Sequence, residues 1–131
     1  MTTKTIQRGF ILSGFANIFA ILIFSRCFTN EYIPQFDNIV MSNFGLLMIV
    51  VWGFAYLAVA KDFEKVKWLV AVFAVEKLIY GIAWVNWQLK NELSTVFEQD
   101  TFAGIFYSIY GINDWLFCLF FSYVFVRLVR E

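Results

Sequence analysis

The chain has 131 residues, 61% of them hydrophobic and 15% charged, with a mean hydropathy of +0.71, well beyond what water-soluble domains carry. Ten Lys plus Arg balance ten Asp plus Glu, so no basic field exists to attract nucleic acid, and that class of partner is excluded. The complete lack of His removes the commonest metal and haem ligand and the usual general base near neutral pH, so neither a cofactor nor a metal is expected.

The apolar residues fall into four runs. The first, Gly9 to Phe28, is long enough to cross about 30 Å of hydrocarbon at about 1.5 Å per residue. It exceeds a signal-peptide core, and Thr29-Asn30-Glu31 follows it with no small-residue cleavage pattern, so it reads as a retained anchor. The stretch Thr29 to Asn38 holds the only proline, Pro34, and reads as a surface loop or short interfacial turn. The second run is Ile39 to Ala60, separated by Lys61 to Lys65 from the third, Val66 to Gln88. So short a connection predicts a tight antiparallel hairpin. Asn91 to Thr101 is a second polar connection, and Phe102 to Val126 is the fourth run. The predicted fold class is all-α: a polytopic membrane protein with four transmembrane helices in an antiparallel bundle, one membrane domain over residues 1–131.

Basic residues are retained on the cytoplasmic side of a membrane. Lys4, Arg8, Lys61, Lys65, Lys67, Arg127 and Arg130 lie on one side, against Arg26 and Lys90 on the other. Both termini are therefore expected in the cytoplasm, and the general look is that of a small bacterial inner-membrane protein. Tyr32 and Trp87 at the outer edge, and Trp68 and Tyr123 at the inner edge, fit interfacial aromatic belts. Cys27 and Cys118 sit at different depths, beyond disulfide reach, and read as buried small apolar residues.

Span midpoints fall near Phe19, Ile49 or Val50, Lys77 and Asp114. Asn17, Glu76, Lys77, Asn113 and Asp114 therefore share one depth, near the bilayer centre. An ionisable group there costs about 2.5–3.5 kcal/mol on insertion scales, so these residues are expected to face inward and find partners. Glu76 and Lys77 point about 100° apart on their helix and cannot pair with each other. Asp114 is the predicted partner of Lys77. One carboxylate is then left over, and Glu76 requires a proton, a hydrogen bond from Asn17, Asn113 or a Tyr hydroxyl, or a bound cation. Tyr80 and Trp84 stand four and eight residues beyond Glu76, on the same helical face. With Trp52, Tyr56, Tyr107 and Tyr110 they are placed to line an amphipathic pocket, or to pack as core. Aromatic faces beside a carboxylate suit a lipophilic cation.

A heptad-like stripe of mostly small residues, Gly104, Ser108, Gly111, Trp115, Cys118 and Ser122, marks a helix contact face in the fourth run, as do Gly9 with Ser13 and Ala16 with Ala20 in the first and Gly45 and Gly53 in the second. They build the bundle or, alternatively, a homo-oligomer. In length and span count the chain resembles small multidrug transporters, which also carry an intramembrane Glu. Theirs lies in the first span, where this chain has Asn17. The chemistry of Glu76 and Asp114 is similar to that of four-span sterol-isomerase-like proteins, whose two membrane carboxylates hold a cationic group.

Three functions compete on these residues. The first is binding or translocation of a small amphipathic or cationic ligand, or of protons, through Glu76, Asp114, Lys77, Asn17, Asn113, Tyr80 and Trp84. In the second, the cluster only fixes helix packing in an accessory subunit of a membrane complex. The third is acid/base catalysis on a lipid-like substrate; no nucleophile motif or phosphate loop accompanies the carboxylates, and an enzyme is the least expected outcome.

Overall fold

The computed structural model describes all 131 residues. It is helical throughout, with α1 (Thr3–Phe24), α2 (Tyr32–Phe36), α3 (Asn43–Val59), α4 (Lys67–Lys90), α5 (Leu93–Gln99) and α6 (Thr101–Arg130), and one 3-10 turn at Phe63–Lys65 before α4. Three helices, α1, α4 and α6, are long and apolar enough to cross a membrane. The second apolar run gives a shorter helix than its sequence length suggests: α3 has 17 residues, about 26 Å at 1.5 Å per residue.

Local chemistry sets these boundaries. Thr2 caps α1, its hydroxyl accepting from the Thr5 N–H at 3.1 Å, and Asp100 caps α6 by accepting from the Ala103 N–H at 3.0 Å. The helix of the second run starts at Asn43 instead of Ile39. The Asp37 carboxylate takes the N–H groups of Ile39 and Val40 at 3.2 and 3.0 Å, holding them in a turn until Ser42 caps the helix through the Gly45 N–H. The first helix likewise ends at Phe24, four residues short of the predicted Phe28. Arg26, Cys27 and Phe28 follow with φ of 49°, 56° and 68°, three successive left-handed residues without a glycine. Such a turn costs about 1–2 kcal/mol per residue. It is held by Ser25 Oγ, which accepts from the Phe28 N–H at 2.9 Å, and by Arg26, which bonds Asp100 at 3.0 Å and stacks on Phe102 at 4.8 Å. The turn lifts Cys27 to the surface, where it is exposed and free, whereas Cys118 is buried and free.

Packing does not follow chain order. The close neighbours are α1 with α3 and α4 with α6. At the α1/α3 crossing Gly14 faces Gly53: a Cβ on either would lie 2.8 Å from the other's carbonyl oxygen, so only glycine permits the approach. Between α4 and α6, the Trp115 ring covers Gly81 and the Trp84 ring covers Gly111. The predicted tight α3/α4 hairpin is loose by comparison. These helices meet through rings, with Tyr56 and Trp52 edge-on to Phe73 at 4.9 and 6.0 Å.

Both termini and the Phe63 turn lie at one end of the molecule. The Met1 ammonium reaches the Tyr123 hydroxyl at 3.4 Å, and Phe63 stacks on Phe10 at 5.5 Å within a cluster of Phe10, Phe73 and Phe121. At the opposite end the two polar connections, expected as loops or short turns, contain α2 and α5, which form a cap. The Tyr107 hydroxyl donates to the Ile33 carbonyl at 2.5 Å, and the Trp87 indole donates to the Phe36 carbonyl at 3.0 Å. Trp87 is therefore buried beneath the cap, stacked on Tyr107 at 4.3 Å, and is not the exposed belt residue its position suggested. Asp100 ties cap to helices by also accepting from Asn30 at 2.8 Å. Burial pushes its carboxyl up, but the hydrogen bonds from Ala103, Asn30 and Arg26 outweigh this and hold it below the usual carboxylate range.

Candidate functional site

A polar layer crosses the middle of the molecule. Asn17 on α1, Glu76 and Lys77 on α4 and Asp114 on α6 are all buried, at 4%, 7%, 1% and 7% exposure. Ionisable groups so enclosed must be matched or neutralised. Lys77 is matched completely. Its ammonium donates to Asp114 at 3.0 Å and to Asn17 Oδ1 at 2.9 Å, and lies 5.2 Å from the centre of the Tyr56 ring. The Asn17 amide in turn donates to the Ile49 carbonyl at 3.0 Å, so one network joins α1, α3, α4 and α6.

Glu76 is placed differently. One of its oxygens accepts the Tyr56 hydroxyl of α3, a partner from a helix with no charged residue of its own. No protein donor bonds the other oxygen. Glu76 also forms part of the wall of a partly open cavity of about 270 Å³ between α1, α3, α4 and α6. Tyr110 also lines that cavity, and its hydroxyl is buried with no hydrogen-bond partner. A buried hydroxyl left unpaired costs about 1–3 kcal/mol, so such groups need a reason. Lys77 and Asp114 reach the cavity wall as well, with Asn17, Tyr80 and the half-buried Asn113.

Most of the residues singled out in the sequence thus meet in one place, and Trp84 is the exception. Its indole is turned away to donate to the Tyr107 carbonyl at 2.7 Å while its ring fills the space over Gly111. The other expected pocket aromatics divide. Tyr80 and Tyr110 line the cavity, Tyr56 stands behind Glu76, Tyr107 is committed to the cap, and Trp52 lines a separate groove between α3 and α4. Asn113 lies in the wall but is not the partner of Glu76. Gly14 and Gly53, one turn before Asn17 and Tyr56 respectively, are the residues that set the α1/α3 spacing beside the cavity.

Chemically the cavity has a largely apolar wall that carries the Glu76 and Asp114 carboxyls, the Asn17 and Asn113 amides and the Tyr80 and Tyr110 hydroxyls, with the only nearby cation, Lys77, already paired to Asp114 and Asn17. That suits a group that donates hydrogen bonds or carries positive charge. No protein-family model matches the chain, nor does any curated protein or solved structure.

Proposed function

We propose that the chain is a four-span membrane bundle that binds a small amphipathic cation, an amine above all, in the central cavity, with Glu76 as its counter-ion and Tyr110 as a second polar contact. The observation carrying this reading is the division within the polar layer: Lys77 is engaged by Asp114 and Asn17, whereas Glu76 borders the cavity with one oxygen that no protein donor bonds, and Tyr110, which also borders it, has a buried hydroxyl with no partner. Two carboxylates and one ammonium leave one excess negative charge in a medium that tolerates none, and a proton or a ligand's cation supplies the balance. Exchange of one for the other couples ligand occupancy to protonation, as a binding or translocating protein requires.

In this reading α3 is the fourth span. It is apolar along its length, and a hydrophobic segment of about 26 Å crosses a bilayer with slight thinning. Both termini are assigned to the cytoplasm. The end of the molecule that holds them carries seven of the basic residues and three acids, whereas the capped end has Arg26 and Lys90 among five acids. That asymmetry is the one the insertion machinery of a bacterial inner membrane retains. A packing role also has support, and it falls to Lys77, Asp114 and Asn17, whose network joins four helices.

The test is equilibrium binding of butylammonium to the protein in phosphatidylcholine nanodiscs, against empty discs. Wild type is expected to bind, Glu76→Gln to lose at least tenfold in affinity, and Tyr110→Phe to lose less. Equal binding by wild type and Glu76→Gln would remove Glu76 from the role.

A further inference from the structure

A second void adjoins the first. It is a groove of about 490 Å³ between α3 and α4, lined by residues such as Phe44, Met48, Trp52, Val72, Ile79 and Ala83. Glu76 and Tyr80 belong to the walls of both voids, and Glu76 is the groove's only charged residue. The groove exists because α3 and α4 meet through rings and not through small residues: Tyr56 and Trp52 hold the two backbones apart on Phe73. Its rim is open to the surroundings, with Phe44, Val72, Val75 and Ile79 all about half exposed or more. From Val72 to Ala83 it runs about 17 Å along α4, at 1.5 Å per residue.

The two voids differ in polarity. The cavity holds Asn17, Asp114, Tyr110 and Asn113, whereas the groove is apolar except where it meets the cavity. We infer that the ligand is a single-chain lipid amine: its ammonium head sits at Glu76 in the cavity, and its alkyl tail leaves past Tyr80 along the α3/α4 groove to the lipid. This rests on the amine reading above and adds the chain, its route and the residues that select it. Charge complementarity fixes the head at the inner end of the groove. The tail follows because a chain longer than the cavity must leave it, and the groove that shares Glu76 and Tyr80 with the cavity gives it an apolar path. Since an alkyl chain gains no hydrophobic free energy in moving from lipid to an apolar groove, the groove selects by shape, and filling it acts by exclusion.

Two groove-filling variants on different helices, Ala83→Phe on α4 and Met48→Trp on α3, test the route in the same nanodiscs. Dodecylammonium and butylammonium binding are compared, each corrected for uptake by empty discs. Both variants are expected to bind butylammonium as wild type does, which also reports that they fold, and to lose at least tenfold in dodecylammonium affinity. A dodecylammonium probe with a photoreactive group at its tail end is expected to label groove residues in wild type. Full dodecylammonium binding in either variant that keeps its butylammonium binding, or tail labelling confined to the α1/α6 side, overturns the groove as the tail's route while leaving the head site standing. Butylammonium binding that ignores Glu76→Gln instead overturns the head site, and this inference with it.

Discussion

Glu76 and Lys77 are adjacent in sequence and both buried, yet they occupy opposite situations. Lys77 has an anion, an amide oxygen and an aromatic face, all supplied by the protein; Glu76 has one tyrosine and a cavity. The difference follows from the 100° between successive helical side chains. Lys77 points into the close α4/α6 contact and toward α1, where short distances allow complete satisfaction. Glu76 points toward α3, which bulky rings hold away from α4. In the proposed function, the group paired within the protein holds helices together and the partly paired one beside the cavity takes the ligand.

Lys77→Met gives the largest effect expected from this contrast. It leaves Asp114 buried without its cation, and removal of one member of a buried pair typically costs about 3–5 kcal/mol. Unfolding in mixed micelles should show that loss, and a second substitution, Asp114→Leu, should recover most of it. If Lys77→Met is as stable as wild type, the network is not what holds the four helices.

Next in size is Gly53→Ala. The added methyl would stand 2.8 Å from the Gly14 carbonyl oxygen and 3.0 Å from the Asn17 Cβ, and overpacking of this kind costs about 1–3 kcal/mol. Because it displaces Asn17, it should lower stability less in a Lys77→Met background than alone, which a double-mutant cycle would reveal. Additive losses would separate the helix crossing from the polar layer.

The smallest effect is at the cap and depends on pH. The Asp100 carboxyl lies below its ordinary range when folded, so the unfolded chain binds its proton more readily. Its contribution is present above the unfolded-state pKa and is lost as pH falls through the folded-state value. Acid should therefore loosen the α2/α5 cap in wild type, read as faster hydrogen exchange of its backbone amides, and Asp100→Asn should flatten that dependence. Unchanged exchange down to acid pH in wild type would detach the cap from Asp100.

Much of the polar layer is legible in sequence because the membrane makes its members so costly. Counting to span midpoints places Asn17, Glu76, Lys77 and Asp114 together, and the impossibility of a Glu76–Lys77 pair sends Lys77 to Asp114, where it is found. A tyrosine hydroxyl is among the groups able to satisfy Glu76. That it is Tyr56 depends on the register of α3, which is set by the Asp37 turn and the Ser42 cap, local bonds that hydropathy does not register. Gly14 escapes a reading in four-residue steps because its match, Gly53, is on another helix. The left-handed turn at Arg26 to Phe28 has no sequence signal at all. It contains no glycine, and contacts made far along the chain, to Asp100 and Phe102, hold it.

In the proposed function stability and binding separate between two adjacent residues, and one paired measurement tests that separation directly. Unfolding stability and butylammonium affinity would be measured together for wild type, Glu76→Gln and Lys77→Met. Gln keeps an acceptor for Tyr56, so Glu76→Gln is expected to stay within about 1 kcal/mol of wild-type stability while losing ligand affinity at least tenfold. Lys77→Met is expected to lose stability outright. If Glu76→Gln proves as unstable as Lys77→Met, and no variant or wild type binds the amine, both residues serve packing alone and the central claim fails.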